Sequence, residues 1–153
     1  MIRTLSIPEW HRMALEGTAP PMRILLNGAS MKPLIRWNRD YVTIIPPDDG
    51  IIPGDIVLLA DPMEERFVAH RLWEVRDGQV LTWGDNCPEP DGWLPADHIW
   101  GKVILIERGK RIIHPDPEKG LRWAVFWRKI RPIYIVYLRI KEAAIRRIKK
   151  LKG

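Results

Sequence analysis

Apolar and polar positions alternate in short runs through the first three quarters of the chain, and then change to a helical period. The short runs, at about 22–27, 41–45, 55–60, 66–75, 79–83, 100–106 and 111–113, are rich in β-branched and aromatic residues and are bounded by glycine or proline. That pattern predicts strands. In Phe67-Val68-Ala69-His70-Arg71-Leu72-Trp73 the alternation puts Val68, His70 and Leu72 on one face and Ala69, Arg71 and Trp73 on the other. Many short strands with Gly/Pro turns between them predict a mostly β fold, built as a compact antiparallel β domain. The fourteen prolines, about twice average usage, fall largely in those turns, at Pro20-Pro21, Pro46-Pro47, Pro53, Pro88, Pro90 and Pro95.

Helices flank the strands. Ser6-Ile7-Pro8-Glu9 is a capping box, in which serine and glutamate satisfy free N–H groups at the start of a short N-terminal helix. Near the other end, Ile133, Tyr137, Ile140, Ala144, Ile148 and Leu151 recur every three or four residues, with Arg139, Glu142, Arg146, Lys149 and Lys150 off that stripe. This predicts a long amphipathic helix, kinked or split at Pro132. The expected organisation is an N-terminal helix and lead-in over 1–20, a β-rich domain over 21–117 and a helical tail over 118–153.

Charge separates the tail from the rest. Residues 119–153 hold twelve Lys or Arg and one acid, Glu142, a net of +11; the first 118 residues hold thirteen basic and eighteen acidic residues, a net of −5. A basic amphipathic helix over 121–153 suits an anionic membrane surface, a partner protein or its own domain, and nucleic acid least well. It is not expected to span, because its longest uncharged stretch, Pro132 to Leu138, is far short of the roughly 20 residues needed. The residues before Met22 include Glu9, His11, Arg12 and Glu16 and read as neither a spanning helix nor a secretory signal. Cys87 is the only cysteine, which fits a reducing compartment, and nothing is spaced as a metal or cofactor site. The expectation is a cytoplasmic protein, peripheral on the inner face of the membrane through its tail.

The candidate chemistry starts from a shortage. The chain has two serines, and Ser6 is accounted for by the helix cap. Ser30 follows the apolar Ile24-Leu25-Leu26 on a turn opened by Asn27-Gly28 and stiffened by Pro33. Such a turn exposes a hydroxyl and can aim backbone N–H groups at a developing oxyanion. A nucleophilic serine needs a base, and of His11, His70, His98 and His114 only His70 lies in a strand-like run. The loop Trp83-Gly84-Asp85-Asn86-Cys87-Pro88-Glu89-Pro90-Asp91 offers two carboxylates that could orient an imidazole, Asp85 and Asp91.

Taken in order, these segments resemble the signal-peptidase clan of serine proteases, which includes the LexA-type self-cleaving repressors. The likeness covers about 25–103. It comprises Gly28-Ala29-Ser30-Met31-Lys32-Pro33, Gly54-Asp55-Ile56-Val57, His70-Arg71, Gly84-Asp85-Asn86 followed by Asp91, and Gly101-Lys102-Val103. His-Arg in place of a lysine base resembles the endoplasmic-reticulum and sporulation-type branch. The resemblance implies the clan's β fold, Ser30 as nucleophile, His70 as general base and Asp91 as the orienting carboxylate. Asp85 would hold the loop through backbone N–H groups, and Met31 would be a substrate contact. It implies no metal and no cofactor. Relatives bind substrate as an added strand and select small side chains near the cut.

The chain departs from the clan in three places. Arg39-Asp40 stands where a Gly-Asp pair usually follows the serine box, which leaves the local turn open. No hydroxyl precedes Ser30 to help bind an oxyanion, so backbone donors must suffice. The residues before the box, 1–21, do not read as the membrane anchor that signal peptidases carry there. The resulting expectation is a serine endopeptidase that processes a peptide or protein precursor. The alternatives are a non-catalytic binding module at a membrane or partner, and a self-cleaving LexA-type regulator, for which a DNA-binding segment before the box would be required.

Overall fold

A computed structural model describes residues 5–48, 50–61 and 66–151. Helix α1 (Ile7–Leu15) is followed by strands β1 (Met22–Leu25), β2 (Tyr41–Ile45), β3 (Ile56–Asp61), β4 (Arg66–Arg76), β5 (Gln79–Trp83), β6 (Trp93–Pro95), β7 (Ile99–Arg108) and β8 (Arg111–Ile113), and then by helix α2 (Pro117–Leu151). All eight strands join one antiparallel sheet in the order β1-β2-β7-β3-β4-β5-β6, with β8 paired to β7. The predicted strands are present with small shifts at their ends. β6 is the exception: its three residues lie among turn-forming acids and prolines and carry no alternation long enough to read.

The core occupies both faces of the sheet's centre. Ile56, Val57, Leu58 and Leu59 are all buried, so β3 is covered on both sides. Alternate residues feed two clusters. Ile56, Leu58 and Ala69 join Trp10, Met22, Val42, Ile44, Val103 and Ile106; Val57 and Leu59 join Leu72, Val80 and Ile99. The β3–β4 register sets Val57 opposite His70 and Ile56 opposite Arg71, so the two adjacent polar residues of β4 enter opposite faces.

The Ser6–Glu9 capping box forms as its sequence predicts, and α1 lays Trp10 into the first cluster, with the indole N–H donating to the Pro20 carbonyl at 2.7 Å. α2 is not split at Pro132, and the helix runs through the proline without a break. A proline removes one donor, but the turns on either side keep theirs, and a helix of 35 residues tolerates the gap. Among the described residues no helix is long and apolar enough to cross a membrane. The chain divides into two compact units, residues 1–121 and 122–153.

Candidate active site

Ser30 sits beyond the end of β1 on a tight turn. Gly28 there has φ 138°, a conformation that side-chain-bearing residues rarely adopt. The Lys32 N–H donates to the Ala29 carbonyl (3.2 Å) and the Ile35 N–H to the Met31 carbonyl (2.9 Å), while the Ser30 N–H has no acceptor among the described residues. Ser30 is half-buried. Met31, the candidate substrate contact, is a buried member of the first core cluster and also walls the cleft described below.

Asp40 secures the segment that follows. It is fully buried, accepts from the Arg36 N–H at 3.0 Å, and is forked by the guanidiniums of Arg36 (2.8 Å) and Arg108 (2.9 Å). Asn38, in the left-handed region at φ 55°, makes the bend, so the turn forms without a glycine beside Asp40. Burial pushes the Asp40 pKa up, but hydrogen bonds from Arg36 and Arg108 more than reverse this and hold it at about 2. A carboxylate whose pKa is lower folded than unfolded stabilises the fold above its unfolded pKa and loses that effect as pH falls. On the order of 2 kcal/mol should therefore disappear between about pH 5 and pH 2. Urea unfolding across that range should show a smaller loss in Asp40→Asn; equal losses would contradict the assignment.

His70 is buried on β4, and its Nδ1 lies 2.6 Å from Asp91 Oδ2. A carboxylate can only accept, so Nδ1 carries the proton and Nε2 is left as a base. The Asp91 N–H donates to the Thr82 carbonyl at 2.9 Å, extending the β5–β6 edge, and the Thr82 hydroxyl donates to the same Asp91 Oδ2 at 2.7 Å. Sequence reasoning missed Thr82, which reads there as an ordinary strand residue. Gly84 closes the arrangement. A Cβ at that position would lie 2.9 Å from the Ser30 carbonyl oxygen, 3.0 Å from His70 Nε2 and 2.7 Å from Cys87 Sγ. The serine turn and the basic nitrogen of His70 thus border the same point. Asn86 fastens the serine turn to the loop after Gly84, its N–H donating to the Ser30 carbonyl (2.6 Å) and its side-chain amide to the Ala29 carbonyl (3.1 Å). Among the described residues the Ser30 hydroxyl itself makes no hydrogen bond to His70; rotation about χ1 is the torsion that moves it.

Asp85 is not held by backbone N–H groups among the described residues, which corrects the expectation from resemblance. It takes both arms of Arg71, at 2.8 and 2.7 Å, with both side chains buried. The third arm of Arg71 donates to the Gly54 carbonyl at 2.8 Å. A charged residue on a buried strand face needs a counter-charge, and Arg71 between Ala69 and Trp73 was the signal that could have found this pair. The Gly54-Asp55 box is fixed further by Asp55, which accepts from the Ile52 N–H (2.9 Å) and pairs with Lys102 of β7 (3.0 Å).

A small cleft opens beside the serine, lined by Leu26, Gly28, Ser30, Met31, Phe67 and Val68, among others. It encloses about 30 Å³, roughly the room of two waters. Its far wall is the first half of β4, where residues 66–70 pair only with β3, because β5 ends at Trp83, opposite Arg71. That half-strand leaves a backbone edge unpaired among the described strands. Also among the described residues, no group of three His, Cys, Asp or Glu is placed to hold a metal ion.

Compared with known proteins, the chain matches no protein-family model, no curated protein and no solved structure.

Proposed function

We propose that the protein is a serine endopeptidase acting through Ser30, with His70 as general base and Asp91 as its orienting carboxylate. The observation that carries this is the 2.6 Å His70–Asp91 hydrogen bond, which leaves Nε2 as an acceptor bordering the Ser30 turn across Gly84. Nucleophilic catalysis by a serine needs a base and a group that orients the base, and His70 and Asp91 are the pair that would serve Ser30.

In this mechanism the Ser30 oxygen attacks the scissile carbonyl carbon as its proton passes to His70 Nε2. Asp91 stabilises the resulting imidazolium, and Thr82 holds the Asp91 oxygen that does so. The Ser30 N–H donates to the oxyanion. Collapse breaks the C–N bond, and the departing amine takes the proton from His70. A water then gives its proton to the same nitrogen and attacks the acyl-enzyme, releasing the acid and restoring Ser30. An extended peptide suits the unpaired edge of residues 66–70, adding as a strand, and the cleft beside it favours a small side chain near the cut.

Asp91→Asn should lower turnover strongly with little change in melting, because the imidazolium loses its counter-charge while the fold keeps its hydrogen bonds. An unchanged rate would remove Asp91 from the mechanism. Incubating the protein with a library of extended peptides and sequencing the products tests the proposal itself. Cleavage after small residues supports it, and a library left intact over long incubation at several pH values overturns it in favour of a binding module.

A further inference from the structure

We infer that the helix beyond residue 121 is an interfacial anchor that lies along an anionic lipid surface. The inference is independent of the peptidase reading. At 1.5 Å per residue α2 is roughly 50 Å long. Phe126, Ile133, Tyr137 and Ile140 recur along one side at helical spacing and are 51, 72, 56 and 65% exposed. Exposed apolar side chains in register over several turns form a continuous hydrophobic strip. Ile148 and Leu151 continue its spacing in sequence, but their side chains lie outside the described residues.

What surrounds the strip identifies its partner. Trp123, Trp127, Tyr134 and Tyr137 form a chain of ring contacts along the first half of the unit, with centroids 5.5–6.5 Å apart. Trp and Tyr carry an apolar body and a polar tip, and favour the headgroup level of a bilayer. Taken round the helix at 3.6 residues per turn, Lys129 and Arg147 border the strip on one side and Lys141 on the other. Long basic side chains at both borders can lay their stems along acyl chains and reach lipid phosphates. Lys129, Lys141 and Arg147 are all exposed, as that reach requires.

The other partners fit less well. A nucleic acid uses the positive charge and leaves the apolar strip in water. A second copy of the helix brings together two segments of net +11 each. An anionic bilayer uses both features, and the net −5 of the first 118 residues confines the attraction to the tail.

The test uses the full-length chain and vesicles of phosphatidylcholine, with or without about one third phosphatidylserine. Sedimentation should show binding to the anionic vesicles and at least tenfold less to the neutral ones. Raising salt from about 0.1 to 0.5 M should weaken it, because the Debye length of about 10 Å shrinks. Ile133→Ser with Ile140→Ser, both highly exposed and outside any core, should weaken binding about tenfold or more at every salt concentration. Ser30→Ala should bind as the wild type does, which separates this inference from the peptidase. No binding to anionic vesicles at low salt overturns it. So does binding that is indifferent to the double serine change, or tighter binding to duplex DNA or RNA than to vesicles.

Discussion

Replacing Ser30 by alanine should abolish peptide hydrolysis, lowering turnover by about 10⁴-fold or more, and His70→Ala should do the same. The Ser30 side chain is half-buried and packs no core cluster, so its loss should leave the melting temperature nearly unchanged. The informative variant is the double one. Nucleophile and base act on a single proton transfer, so removing both should cost no more than removing either. A double variant far slower than each single variant would mean that the two residues do not form one catalytic unit. Restoration of part of the His70→Ala rate by added imidazole would place the base at that position directly.

The second large effect falls on stability. Arg71 and Asp85 are buried together, with side-chain exposures of 1 and 0%. Removing one partner strands the other charge away from water, at a cost of about 3–5 kcal/mol. Arg71→Ala and Asp85→Asn should therefore each lower the melting temperature by roughly 10 °C or more. The half-exposed Arg23–Glu107 pair is the control, and breaking it should change little because water and salt already screen it. The clamp also reaches the start of α2. A Cβ on Gly120 would stand 2.3 Å from an Arg71 nitrogen, and one on Gly54 would stand 2.0 Å from the Pro117 carbonyl oxygen. Gly120→Val should consequently displace the guanidinium and reproduce much of the Arg71→Ala loss. Ending the chain after Leu121 should leave the first unit folded, whereas ending it before Pro117 should destabilise it. If Gly120→Val melts like the wild type, the packing described for Arg71 is wrong.

These two effects differ in how far they could be read before the structure. The capping box at Ser6 and Glu9 was legible because its interactions span three residues and depend only on local geometry. Most strands were legible because alternation and Gly/Pro punctuation are local as well. β6 was not, since three residues amid turn formers carry no periodicity and exist as a strand only through pairing with Gln79, Val80 and Leu81. The candidate site shows the same division. Ser30 stood out by scarcity and turn chemistry, and His70 by its place in a strand; Asp91 could be preferred to Asp85 only through resemblance. Arg71 on an apolar strand face signals the need for a counter-charge, but which acid supplies it, and the part of Thr82, depend on which segments become neighbours, and no spacing along the chain encodes that. Asp40 looked like a departure from a pattern, yet the aspartate keeps a structural task while Asn38 supplies the bend. The local cost of Pro132 does not divide the helix, because the turns on either side keep their hydrogen bonds.

The catalytic claim is tested most directly by intact-protein mass spectrometry after exposure to a fluorophosphonate probe. The account predicts one covalent adduct per chain, mapped by peptide fragmentation to Ser30, absent in Ser30→Ala and strongly slowed in His70→Ala. An adduct on another residue would contradict it, as would labelling of Ser30 at the same rate without His70, or a chain that stays unmodified at every pH at which it is folded.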